Sequence, residues 1–131
     1  MNIEATGEFV VNVVSEAIAG QMNLCSGEYP PDVDEFALSG LTPEPSLVVK
    51  PPRVRESPAA MECRLLQIVR IGTLANGGNL VIGEVLRFHV DDAAISNYRV
   101  DPEKLLAIGR MGGPEYTRTR DRFPMIRPGG A

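Results

Sequence analysis

Tryptophan is absent from this 131-residue chain, histidine occurs once and cysteine twice. A zinc site of the usual cysteine and histidine type therefore lacks ligands, since Cys25 and Cys63 form no CxxC pair and His89 stands alone, and no metal is expected. The cysteines read as buried or incidental thiols of a reducing compartment. Long apolar runs are missing too: FVVNVV at residues 9–14 falls far short of the roughly 20 residues that a membrane-spanning helix needs. No basic segment followed by an apolar run opens the chain, so a cytoplasmic location without membrane attachment is expected. Lysine and arginine are lacking from residues 1–49, which carry eight acids, whereas residues 50–131 hold all thirteen basic groups beside nine acids. The net charge of −4 and a pI of about 5.0 argue against nucleic-acid binding. The late cluster of arginines predicts an anion-facing surface or charge complementarity between copies of the chain.

At this length, with 44% hydrophobic and 23% charged residues, one domain over residues 1–131 is expected. The β-branched stretch at residues 9–14 reads as a strand, preceded by Gly7 as a helix stop. SEAIAGQMN places Ile18 and Met22 on one face of a short helix, and DVDEFALSG reads as another that stops at Gly40. Prolines 43, 45, 51, 52 and 58 confine any strand between them, such as residues 47–50, to a short or edge position. Residues 60–71 and 80–90, both rich in Val, Ile and Leu, read as an antiparallel hairpin turning at the glycine-rich residues 76–79. In its second strand Leu80, Ile82, Leu86, Phe88 and Val90 form the expected core face, opposite Val81, Gly83, Val85, Arg87 and His89. Gly83 inside a strand signals a bulge, a barrel corner or the close approach of a ligand or backbone. Asp101-Pro102-Glu103 opens a short helix that Gly109 is expected to end, and the remainder reads as a turn, a terminal strand and a loose end.

Several residue groups admit both a chemical and a structural reading. The segment Gly109-Arg-Met-Gly-Gly113 is neither a dinucleotide fingerprint nor a Walker loop; its paired glycines either offer amides to an anion or form a tight turn that needs positive φ. His89 either donates to a ligand or shuttles a proton, or it is a satisfied structural histidine. Arg118, Arg120 and Arg122 alternate along an extended strand, as a solvated face or as a seat for phosphates.

Five segments in order carry a resemblance that covers nearly the whole chain: GEFVVNVVSEAIAGQMNLCSGEYPPDVDEFALSGLT, SPAAMECRLLQIVRIG, GNLVIGEVLRFHVDD, DPEKLLAIGRMGGPEY and DRFPMIRP. Together they resemble the flavin reductase-like, FMN-binding split-barrel proteins. The resemblance implies a mainly β protein with short helices, folded as an antiparallel split β-barrel. It further implies a homodimer that binds FMN near the subunit interface and transfers hydride from NAD(P)H to flavin. Members of the family ordinarily carry several strands before the segment matching NIEATGEFVVN, so the chain is expected to be N-terminally incomplete relative to them. Only matching positions carry over: Asn23 in QMNLCS and Arg110, Gly112, Gly113 and Tyr116 in RMGGPEY as cofactor-binding residues, and His89 in FHVDD as a catalytic residue on the nicotinamide side. The alternative is a truncated, non-catalytic binding or dimerisation module that has lost the flavin.

Overall fold

A computed structural model of the chain describes residues 2–72 and 78–129. A short helix, α1 (Asn2–Thr6), ends where the Gly7 N–H returns to the Ile3 carbonyl at 2.9 Å with φ +69°, a left-handed stop that favours glycine. The strand β1 (Glu8–Asn12) follows, then a 3₁₀ turn at Glu16–Ile18 continuing into α2 (Ala19–Leu24). In α3 (Glu35–Ser39) the Asp34 carboxylate caps the Phe36 N–H and Gly40 closes the helix at φ +71°. Two-residue strands β2 (Pro43–Glu44) and β3 (Arg53–Val54) pair with each other, and the long strands β4 (Ala59–Ile71) and β5 (Gly78–Val90) follow. The short pair β6 (Ile95–Ser96) and β7 (Arg99–Val100) precedes α4 (Pro102–Leu105), and the pair β8 (Ile108–Arg110) and β9 (Tyr116–Arg118) ends the ordered elements.

The expected β-rich fold with short helices is present, and its centre is the antiparallel three-stranded sheet β1-β4-β5. Among the described residues the strands form open sheets and do not close a barrel. Residues 76 and 77 of the expected glycine-rich turn lie outside the described residues.

The predicted core face of β5 does not survive in the structure, and bulges explain why. Glu62 pairs with Arg87 but Cys63 pairs with Val85, which leaves Leu86 as an extra residue on β5; Leu65 pairs with Gly83 but Gln67 pairs with Ile82, which leaves Leu66 extra on β4. One inserted residue inverts a period-two alternation. Phe88 therefore shares a face with Val85, Gly83 and Val81, while Arg87 and His89 share theirs with Glu84, Ile82 and Leu80. The Arg64–Glu84 ion pair joins register partners on that second face. Instead of forming one core layer, Leu80, Ile82 and Phe88 are 51%, 40% and 67% exposed.

Gly83 serves a close approach beside the irregularity at Leu66, where both the Phe9 side chain of β1 and the Arg64 backbone carbonyl crowd it. A Cβ at this position would lie 2.5 Å from Phe9 Cζ and 2.8 Å from Cε1, so the Phe9 ring packs where any other residue would clash.

The proline-rich segment departs from expectation in an informative way. Residues 47–50 are not a strand; the strands are Pro43–Glu44 and Arg53–Val54 on either side. The amides of residues 47–50 turn instead onto side chains of the central sheet. Leu47 N–H donates to Glu62 Oε1 at 2.8 Å, and Val48 and Val49 N–H donate to Oε2 at 2.7 and 3.1 Å. Lys50 N–H donates to Glu8 Oε2 at 2.9 Å and Val54 N–H to Asn12 Oδ1 at 3.0 Å. Glu8, Asn12 and Glu62 lie on one face of the β1-β4 pair, since Val10 is the register partner of Glu62 and residues two apart share a face. Pro51 and Pro52 have no N–H to contribute to a strand ladder, so side-chain acceptors fasten this segment where backbone pairing cannot.

The helix opened by Asp101-Pro102 is also shorter than expected. Its N-cap is as predicted, with Asp101 Oδ1 accepting from Glu103 N–H at 2.9 Å, but Leu106 at φ +48° ends it, and Gly109 lies inside β8.

Gly83→Val is expected to lower stability by about 1–3 kcal/mol through overpacking against Phe9. Urea unfolding measures this, and trimming the ring in Gly83→Val/Phe9→Ala should return part of the loss. An unchanged midpoint in the single variant would contradict the packing described.

Candidate functional site

The backbone beyond β1 sets up the site. Val14 carbonyl accepts from Ile108 N–H at 3.0 Å, Glu16 N–H donates to Leu106 carbonyl at 3.0 Å, and Ser15 bridges to Ala107 between them. Chain segments about 90 residues apart are thereby held side by side, and the β8–β9 pair comes to rest beside the helical residues 16–24. Register puts Ile108 opposite Arg118 and Arg110 opposite Tyr116, so these four side chains share one face of the pair.

A cleft of about 380 Å³ lies between these elements. Glu16, Ala19, Met22 and Asn23 line it from the helical side, and Ile108, Pro114, Tyr116, Thr117 and Arg118 from the strand side. The structure thus brings together two of the expected cofactor residues, Asn23 and Tyr116. The Arg110 guanidinium carbon stands 5.9 Å from the Tyr116 ring centroid, within cation–π range. Gly112 and Gly113 occupy the turn between β8 and β9, where Met111 N–H donates to Glu115 carbonyl at 2.9 Å and Gly113 takes φ +59°. The tight-turn reading of the glycine pair is therefore correct, and the N–H groups of Gly112 and Gly113 take no partner among the described residues.

The three late arginines do not form a free row. Arg118 alone lies in β9. Arg120 grips Glu16 with both Nε at 2.7 Å and Nη2 at 2.8 Å, and Arg122 pairs with Glu103. Arg118 Nε approaches the same Glu16 at 3.3 Å. The Arg120 hydrogen bonds, opposed in part by burial and aided by the charge of Arg118, hold the Glu16 carboxyl below the usual carboxylate range.

His89 lies elsewhere. Its Nε2 is 2.6 Å from Glu62 Oε1, and it is not among the residues lining the cleft. Glu62 is 0% exposed. Burial by itself would push its carboxyl up, but the Leu47 and Val48 amides, the His89 ring and the Val49 amide outweigh that penalty and hold it at about 2. An ionised carboxylate only accepts, so the proton of this bond sits on Nε2. Glu62 escaped the sequence reading. Its one signal is an acid within the strand AAMECRLL, where charged residues are depleted unless paired. Glu16, Met22, Pro114 and Thr117 were likewise not singled out as cleft residues, and Arg118 was read only as one of a row of three arginines, since only the crossing of the chain at Ser15 and Ala107 brings these residues together.

A second, apolar cleft of about 260 Å³ adjoins through Met22 and includes Ile18, Cys25 and Phe36. Among the described residues no group of three or more His, Cys, Asp or Glu side chains is placed to hold a metal ion. No helix there is long and apolar enough to cross a membrane.

Residues 1–108 match the model of the flavin reductase like domain. An uncharacterised protein of Aquifex aeolicus is 40% identical over 118 residues, a match that takes in 89% of this chain and 58% of that protein. Among solved structures, nitrilotriacetate monooxygenase component B from Bacillus cereus superposes with a TM-score of 0.87 at 32% identity, covering 95% of this chain and 62% of that one. A Shewanella frigidimarina protein assigned as a flavin reductase with a split barrel domain gives a TM-score of 0.82 at 30% identity, over 96% of this chain and 63% of that one. The chain therefore spans less than two thirds of the length of these proteins.

Acid should expose the role of Glu62. Its folded pKa of about 2 lies below the ordinary 4.5, so its stabilising contribution is complete above pH 4.5 and fades as pH falls toward 2. Glu62→Gln places an amide against three N–H donors and is expected to cost about 3–5 kcal/mol near neutral pH. Chemical unfolding from pH 7 to 2 checks both: the native chain should lose more stability below pH 4.5 than the variant does.

Proposed function

Because the chain belongs to the flavin reductase-like domain family, we propose that it binds FMN in the cleft between α2 and the β8–β9 pair and reduces it with NAD(P)H. The single observation that carries this reading is the convergence of Asn23 and Tyr116 on one cleft, with the Arg110 guanidinium over the tyrosine ring at cation–π distance. The residues present fit such a cofactor. Ala19, Met22, Ile108 and Pro114 offer an apolar surface to a planar ring. The Asn23 amide can both donate to and accept from ring heteroatoms. Gly112 and Gly113, in the turn that leads to the cleft residue Pro114, and Arg110, over the Tyr116 ring, are not among the lining residues, but their N–H groups and positive charge, unpartnered among the described residues, stand next to the cleft. Bound FMN supplies the redox chemistry, taking a hydride from reduced nicotinamide, while the protein orients the rings and sets the local charge.

In this reading His89 is a positioning residue. It completes the shell around Glu62 and through it holds residues 47–49, and it is not placed at the cleft. The split barrel and the homodimer belong to the same proposal. The apolar side chains left open on the central sheet, Leu66 and Phe88 foremost, are the surface that closure or pairing would cover.

Those open side chains also favour a second reading, a non-catalytic binding or dimerisation module without flavin. FMN titration followed by flavin fluorescence separates the two. The first reading expects saturable quenching, a bound flavin absorbance band and NAD(P)H oxidation above that of free FMN. Tyr116→Ala should weaken FMN binding by roughly five- to tenfold through lost ring contact. A folded chain that self-associates but shows no saturable flavin signal would establish the second reading instead.

A further inference from the structure

We infer that Arg118 is a phosphate-ester seat at the rim of the cleft, its guanidinium held in reserve by Glu16 until a phosphorylated ligand enters. This rests on the nucleotide-binding reading of the cleft and adds to it the residue that reads the phosphate.

The charge balance around Glu16 carries the inference. Arg120 already meets both carboxylate oxygens, at 2.7 and 2.8 Å, in the paired geometry that a guanidinium and a carboxylate favour. One acid is thus matched by one base, and Arg118 adds a second positive charge to the group. Its own contact is a single Nε approach at 3.3 Å, and its Nη groups have no acceptor among the described residues. The Arg118 side chain is 74% exposed, whereas Glu16 beneath it is 17% exposed. The guanidinium therefore has both the surplus charge and the freedom to turn toward a ligand.

Position supports the same assignment. Arg118 lines the cleft, and on its face of the β8–β9 pair Tyr116 neighbours both arginines, two residues along β9 from Arg118 and directly opposite Arg110. An aromatic flanked by two guanidiniums on one face suits a planar heterocycle with an anionic substituent. Arg120 and Arg122 do not qualify. Arg120 is committed to both oxygens of Glu16, and Arg122 is shared between Glu103 and the Thr119 carbonyl.

Two ligands of the proposed reaction carry a phosphate monoester: FMN at its ribityl end and NADPH at its 2′ position. Each has a partner without it, riboflavin and NADH. The test measures the affinity of the full chain for all four, before and after Arg118→Gln, with urea unfolding to confirm that the variant is folded. Loss of one charge-assisted contact is expected to lower one affinity ratio by about tenfold. A fall in FMN over riboflavin assigns the seat to the flavin phosphate; a fall in NADPH over NADH assigns it to the nicotinamide nucleotide. Glu16→Gln, which releases Arg118 from its holder, should raise the same ratio. Flavin binding with both ratios unchanged in Arg118→Gln overturns the inference and leaves the flavin reading standing, as does an equal loss of FMN and riboflavin. A wild-type chain that takes up none of the four overturns the flavin reading, and the inference with it.

Discussion

One buried negative charge organises the central sheet. Glu62 is fully enclosed on β4, where an unpaired carboxylate would not stay ionised, and the fold answers with three consecutive backbone amides and the His89 ring. The amides come from a segment that prolines bar from regular pairing, so the charge and the irregular segment satisfy one another. Glu8 and Asn12 extend the arrangement along the same sheet face by accepting from Lys50 and Val54. The result is a rigid covering over one face of β1 and β4, built from side-chain acceptors instead of a further strand. Val49 and Ala60, among the few buried apolar residues, lie within it.

A second crossing, at Ser15 and Ala107, turns this sheet into a support for a site. The chain leaves β1, runs beside the residues before β8, and enters the helical residues that form one wall of the cleft. The opposite wall is the β8–β9 pair, whose one face carries an isoleucine, a tyrosine and two arginines. Charge is distributed across that boundary: the early half of the chain contributes Glu16, the late half Arg118 and Arg120. Part of the uneven sequence distribution of acids and bases is thereby matched within the chain, in pairs such as Glu16–Arg120 and Glu4–Arg70. What remains unmatched at the cleft is positive, which agrees with an anionic ligand.

Similarity to flavin reductase-like proteins extends over nearly the whole chain but over less than two thirds of the solved proteins described above. Leu66, Leu80 and Phe88 stand on surfaces that an isolated sheet does not bury, and bulges at Leu66 and Leu86 redirect them so that neither face is wholly polar. A protein that left such a surface bare would be prone to association.

Local chemistry was legible from the sequence: the cap at Asp101, the stops at Gly7 and Gly40, the long antiparallel pair of β4 and β5, and the special place of Gly83. Each depends on a residue's own conformational range or on neighbours a few positions away. The end of α4 was misplaced because Leu106, not a glycine, adopts the left-handed conformation. The face assignment of β5 failed because a bulge inserts one residue without leaving a mark in the apolar pattern. Asn23, Arg110, Gly112, Gly113 and Tyr116 could be nominated from their segments, but nothing local says that Asn23 meets Tyr116, that Arg120 takes Glu16 and leaves Arg118 over, or that His89 belongs to Glu62. Those are contacts between positions 27 to about 100 residues apart. Sequence sets which groups can donate, accept or turn; only the closed path of the chain decides which of them meet, because burial and pairing are properties of position in space.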